Sequence, residues 1–258
     1  MYKEISRLII YGDMDEDSIL SRMADIFRKF DVEDTGKEEL TREIYTQIKR
    51  ILKVATDYGF DKNLWQNYLT FILITTENPF SITCEKVGAN DGSVNTFAMN
   101  DFGIFRKLFH YDFSEIEKEL SINCFSLITN YKAIVKKELM YNRNVSEKVR
   151  TLSEKLAAAT TDEEFFDGVT TFYKDYGVGM FGLNKAFHII MDDEAKQVDI
   201  EPITRVEHIE LSDLVGYELQ KAKLIENTEA FIEGRAANNC LLFGDSGTGK
   251  SSSIKAIL

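Results

Sequence analysis

Apolar residues recur at helical spacing through most of the first two-thirds of the chain. After "DTGKEEL" come Leu40, Ile44, Ile48, Ile51, Leu52 and Ala55, a spacing that puts them on one face of a helix. Gly59 is the expected stop, since glycine readily takes the left-handed conformation that ends helices. "LWQNYLTFILITTE", from Leu64 to Glu77, is a second apolar run and predicts a buried helix closed by Asn78-Pro79. Val145, Val149, Leu152 and Leu156 mark a further helix. Thr161-x-x-Glu164 has the pattern of a capping box opening the next one, with Phe165, Phe166, Val169, Phe172 and Tyr173 on its buried side.

Two stretches break this period. "FSITCEKVGANDGSVNTFAM" carries two β-leaning runs around Asn90-Asp91-Gly92, and Asp-Gly between such runs predicts a hairpin. Between Gly177 and Val206, "AFHII" and "KQVDIEPI" flank the charged turn "MDDEA", which predicts a second hairpin. The domain boundary is placed just after it, between about residues 200 and 210. Residues 1–205 then form a mostly helical N-terminal domain and residues 206–258 a second one. In the latter, Ser212 or Asp213 can cap a helix running to about Glu233, with Gly234 as its stop. A short apolar strand, Cys240 to Phe243, leads into a glycine-rich loop, and a helix starts at Lys250. The fold class expected is mainly α with small β-hairpins, followed by the first helix, strand and phosphate-binding loop of an α/β P-loop NTPase domain.

Composition narrows the function classes. The chain of 258 residues is 44% hydrophobic and 29% charged, ordinary for a globular protein. Its net charge of −12 argues against a broadly basic nucleic-acid surface. Cys84, Cys124 and Cys240 are odd in number and widely spaced, the pattern of free thiols in a reducing compartment. The apolar run near the N-terminus, Leu8 to Tyr11, is too short for a signal peptide, and no run approaches the ~20 residues that span a bilayer. A cytoplasmic location with no membrane partner is expected.

The candidate chemistry lies in "CLLFGDSGTGKSSSIKAIL". Gly244, Gly249, Lys250 and Ser251 satisfy G-x-x-x-x-G-K-[ST], the Walker A pattern. Its glycines let the backbone approach phosphate without a Cβ in the way. Successive backbone N–H groups make a concave anion nest, and the following helix points its positive end at the same anion. Gly244, Asp245, Ser246, Gly247, Thr248, Gly249, Lys250, Ser251 and Ser252 are thus the candidate nucleotide-binding residues. Lys250 is suited to the β- and γ-phosphates and the Ser251 hydroxyl to Mg²⁺.

Three other patterns are weaker. "GVGMFG" matches G-x-G-x-x-G but follows a helical stretch, not a strand, and reads as a helix stop and turn. "FHIIMDDE" resembles a Walker B strand, yet precedes the loop by more than fifty residues and fits an acidic hairpin corner. Asp13, Asp15 and Asp17 have calcium-loop spacing, but Ser18 and Ala24 replace the required glycine and glutamate; an acidic helix start is the simpler reading. His110, His188 and His208 are scattered and have no metal-ligand neighbours.

"ELSDLVGYELQKAKLIENTEAFIEGRAANNCLLFGDSGTGKSSSIKAIL" closely resembles the start of the ATPase domain in a bacterial family known as domain of unknown function 815, predicted AAA+-type P-loop ATPases. "YKDYGVGMFGLNKAF" and the helical region are similar to what precedes that domain. The specific part is Leu211 to Leu258. The resemblance implies ATP and Mg²⁺ as ligands, and it makes Val215 and Gly216, in the stretch Leu214 to Tyr217, adenine contacts. It leaves self-association or a protein substrate open as partners. The family's Walker B acids, sensor and arginine finger follow the loop, so the chain reads as a piece cut inside the ATPase domain and inactive alone. Two alternatives stay open: a helical protein-interaction or substrate-recognition module with an incidental loop, and a P-loop kinase.

Overall fold

The computed structural model describes residues 1–32, 35–134, 143–184, 186–192, 197–203 and 209–257. The chain divides into two compact units, Met1–Asn184 and Lys185–Leu258. This division falls before the hairpin rather than after it, some twenty residues ahead of the boundary read from the sequence. Part of that reading, residues 204–208, lies outside the described residues.

Among its described residues the first unit is built of helices and loops, with one isolated bridge between Lys62 and Tyr131. Its elements are α1 (Tyr2–Ile5), α2 (Ile19–Val32), α3 (Lys37–Tyr58), α4 (Leu64–Thr75), α5 (Pro79–Val87), α6 (Ser93–Phe109), α7 (Ser114–Leu120), α8 (Cys124–Thr129), α9 (Arg143–Ala158), α10 (Asp162–Tyr176) and α11 (Gly179–Leu183). α4 is its centre. Leu64, Trp65, Tyr68, Leu69, Ile72, Leu73 and Ile74 are all buried, and even Asn67 and Thr70 are enclosed. A helix apolar on every side must be surrounded, and α4 packs against α3, α6, α8, α9, α10 and α11. The α3 stripe is buried as expected, apart from the half-buried Leu52. Gly59 closes α3 at φ 66°, and the Phe60 N–H reaches back to the Ala55 carbonyl at 2.9 Å. Val145, Val149, Leu152, Leu156 and the predicted face of α10 are buried too. Thr161 caps α10, accepting from the Glu164 N–H at 3.1 Å, while the Glu164 carboxylate accepts from the Thr160 N–H at 2.7 Å, one residue earlier than a strict box requires.

The hairpin expected around Asn90-Asp91-Gly92 does not form. Those residues link α5 to α6. Asn78 and Ser81 make a reciprocal capping box with Pro79 in the first turn, so Asn78-Pro79 ends α4 and also launches a helix. Phe80 and Cys84 on α5, with Ala98, Phe102 and Phe105 on α6, then enter the core. Burial of whole helical faces overrides the weak β preference of Phe, Ile, Thr and Val. The aspartates at 13, 15 and 17 are exposed and precede α2, whose first-turn amide at Ser21 is capped by the Ser18 hydroxyl at 3.1 Å. Gly177 stops α10 at φ 82° and α11 follows, so "GVGMFG" is a helix stop and a further short helix.

Buried polar groups in this unit are paired almost throughout. Asp101, fully buried, accepts from the N–H groups of Ile9 (2.9 Å) and Tyr11 (2.9 Å), fixing the N-terminal segment to α6. The Tyr11 and Tyr173 hydroxyls bond each other, and Tyr173 donates to the Leu73 carbonyl at 2.7 Å. Burial pushes both phenols well above their ordinary range.

In the second unit, β1 (Phe187–Asp192) and β2 (Gln197–Pro202) pair antiparallel, with Ile189 opposite Ile200 and Met191 opposite Val198. The second predicted hairpin is therefore present; its turn, with Asp193, lies outside the described residues. A 3₁₀ turn at Leu211–Asp213 precedes α12 (Glu218–Ile232), and α13 spans Lys250–Ala256. The helix expected from Ser212 to Glu233 is broken, because Gly216 (φ 84°) and Tyr217 (φ 57°) are left-handed, which no continuous helix admits. Its end is as predicted. Gly234 has φ 69°, and the Arg235 N–H bonds the Ala230 carbonyl (2.8 Å) while the Gly234 N–H bonds that of Phe231 (3.1 Å), a Schellman arrangement. Cys240 to Phe243 is not a strand. No neighbour pairs with it among the described residues, and a strand needs a ladder.

Candidate functional site

The glycine-rich loop keeps its shape through glycine conformations and one lysine. Gly244, Gly247 and Gly249 have φ of 142°, 79° and 80°, all in the region that disfavours a side chain. The Lys250 Nζ donates to the carbonyls of Gly244 (3.0 Å) and Asp245 (2.5 Å) and to Thr248 Oγ1 (3.2 Å). Thr248 Oγ1 donates in turn to the Asp245 carbonyl at 2.8 Å. The ammonium therefore lies inside the ring of the loop, and its three protons all point at loop oxygens. Gly249 sits at the N-terminal end of α13, whose first turn is closed by Ser253 N–H and Oγ bonds to the Gly249 carbonyl.

The segment before the loop is fastened to α12 by one side chain. The Asn227 amide donates to the Asn238 carbonyl (2.8 Å) and accepts from the Asn238 N–H (2.9 Å). It also reaches Cys240 Sγ at 3.2 Å. That amide clamp ties residues 238–240 to α12 without any strand pairing among the described residues.

Loop and turn face one cavity of about 800 Å³. Val215, Gly216, Ser246, Gly247, Thr248, Gly249 and Lys250 line it. A Cβ added to Gly249 would lie 3.9 Å from Leu214 Cδ2, so the turn and the loop's end are in van der Waals reach. Gly244, Asp245, Ser251 and Ser252 are outside the lining, and Ser251 is exposed. Val215 is 93% exposed, so it bounds the cavity without being packed. Sequence reasoning missed Gln220, Lys221 and Leu224, which also line the cavity from the first turns of α12. Their helical spacing was visible; what they face depends on the bend at Gly216 and Tyr217.

Asp192 is the last residue of β1, and the acidic corner expected after it lies outside the described residues. Among the described residues lining the cavity, Asp213 carries the one carboxylate, and it already accepts from the Glu210 N–H at 2.9 Å. Among the described residues no cluster of three or more His, Cys, Asp or Glu could hold a metal ion. Cys240 is exposed at the cavity wall, while Cys84 and Cys124 are buried in the helical unit, and all three are free thiols.

The cavity, its turn and its loop all fall within a stretch that a known family shares. Residues 184–258 match the family described as Protein of unknown function (DUF815). The DUF815 match starts at the last residue of the helical unit and covers the hairpin, the 3₁₀ turn, α12 and the loop. It takes in less than a third of the chain and does not extend over the helical region for which a similarity was expected. No curated protein and no solved structure matches the chain. No helix among the described residues is long and apolar enough to cross a membrane.

Proposed function

We propose that the second unit binds a nucleoside triphosphate, ATP by the resemblance to AAA+-type ATPases, with phosphates on the loop and base against the turn. One observation carries this reading: the turn Leu214–Tyr217 and the part of the loop from Ser246 to Lys250 border a single cavity. Its volume suits a nucleotide-sized ligand. On phosphate binding, Lys250 would exchange its loop carbonyls for β- and γ-oxygens, a charge-assisted pairing stronger than the neutral bonds it replaces. The exposed Ser251 hydroxyl is the group available to Mg²⁺, which otherwise takes phosphate oxygens and water. The ion's role would be to neutralise phosphate charge. The test is calorimetric titration of the 258-residue chain with ATP and Mg²⁺. A saturable heat that Lys250→Ala lowers by at least about tenfold in affinity supports the reading. Binding that ignores the substitution would contradict it.

A further inference from the structure

Lys221 is placed to control the shape of the turn that the base would meet. Its Nζ donates to the Leu214 carbonyl at 2.8 Å and pairs with Glu218 Oε1 at 2.9 Å. Its side chain is only 14% exposed, whereas Glu218's is 78% exposed. The lysine thus folds back from the first turn of α12 over the residues that precede the helix. Those residues need holding. Gly216 and Tyr217 are both left-handed, and Tyr217, a bulky non-glycine residue, pays a conformational cost there. The turn has few other ties. The Leu214 N–H bonds the Leu211 carbonyl at 3.3 Å, and the Lys221 N–H bonds that of Tyr217 at 2.9 Å. Val215 and Tyr217 are exposed and contribute little packing. A low-exposure ammonium donating to a carbonyl is a strong tie, because the bond is charge-assisted and poorly solvated.

We infer that Lys221 is a positioning residue for nucleoside recognition: by clamping the Leu214 carbonyl it fixes the Leu214–Tyr217 backbone against which a base would lie, leaving the phosphates to Lys250. The inference rests on the nucleotide reading above. It separates the cavity into a phosphate end and a base end, each governed by its own lysine, and it predicts that the two ends fail independently.

Inorganic tripolyphosphate is the probe that divides them, since it has the phosphates and no base. In the full chain, Lys221→Met should weaken ATP binding about tenfold and leave tripolyphosphate binding unchanged. Lys221→Arg, which can still donate to the Leu214 carbonyl, should restore most of the ATP affinity. Gly216→Val strains the same turn from a different residue and should show the same split, which keeps the proposal testable if Lys221→Met unfolds the unit. Lys250→Ala should lose both ligands. A parallel loss of tripolyphosphate in Lys221→Met would make Lys221 a phosphate ligand and overturn the positioning role, as would unchanged ATP binding. If the unsubstituted chain binds neither ligand, the nucleotide reading itself fails; if it binds both and only the Lys221 split is missing, that reading survives and this inference does not.

Discussion

Lys250 and Cys240 give the site two separate handles at the scale of single residues. Burial pushes the Cys124 thiol up to about 11, with the Glu117 carboxylate adding to the effect, and burial also raises Cys84. Both stay protonated near pH 8, and both are enclosed by the core. Cys240 is exposed at the cavity wall. A maleimide at pH 8 should therefore label one thiol per chain, at Cys240. ATP should slow that reaction, and Lys250→Ala should abolish the protection. Labelling of two or three thiols in the folded chain would contradict the burial described here. Asp101 is the corresponding residue in the helical unit. Asp101→Ala strands the N–H groups of Ile9 and Tyr11 and should cost about 3 kcal/mol, read from chemical denaturation. A loss under about 1 kcal/mol would show that the N-terminal segment is not held through this carboxylate.

At the scale of elements, α5 shows both what the sequence made legible and what it hid. Helices with long apolar stripes, such as α3, α9 and α10, could be read directly, since their spacing alone dictates which face is buried. The segment Phe80 to Met99 could not. It is short on periodic signal, and Asp91-Gly92 is a turn in either architecture, linking two strands or two helices. The deciding feature is local. Asn78 accepts from the Ser81 N–H at 2.8 Å, and Ser81 Oγ accepts from the Asn78 N–H at 2.9 Å. The box is present in the sequence as Asn-Pro-Phe-Ser, but Asn-Pro signals the end of one helix as readily as the start of the next. Serine caps a helix about as well as asparagine, and its hydroxyl can accept from the Ser81 N–H as Asn78 Oδ1 does. Asn78→Ser should match the native melting temperature, while Asn78→Ala should lose about 1 kcal/mol. An alanine variant as stable as the serine one would remove the cap from the account of α5. The candidate site divides likewise. The loop was legible as a motif, because its residue types are tied to phosphate chemistry. The turn's geometry was not, because left-handed Tyr217 has no sequence signature. The strand expected at Cys240–Phe243 depended on partners that no local pattern supplies.

At the scale of the whole molecule, the chain joins a helical unit with its own core to a smaller unit that carries the candidate site. The helical unit has aromatic packing throughout: Phe113 stacks on Phe125 at 4.3 Å between centroids, and Trp65 donates to the Leu108 carbonyl at 2.8 Å. Residues 1–184 expressed alone should melt cooperatively with a helical circular dichroism spectrum. A broad, non-cooperative melt would show that the core needs the second unit. For the second unit, Asp213 is the one carboxylate among the described residues lining the cavity, and it is committed to a backbone bond. If one ligand engages turn and loop together, amide hydrogen exchange with and without ATP–Mg²⁺ reports it at both places. ATP should slow exchange at residues 214–217 and at residues 244–252, and Lys250→Ala should remove both effects; protection of the loop with none at the turn, or of neither, would contradict a shared ligand.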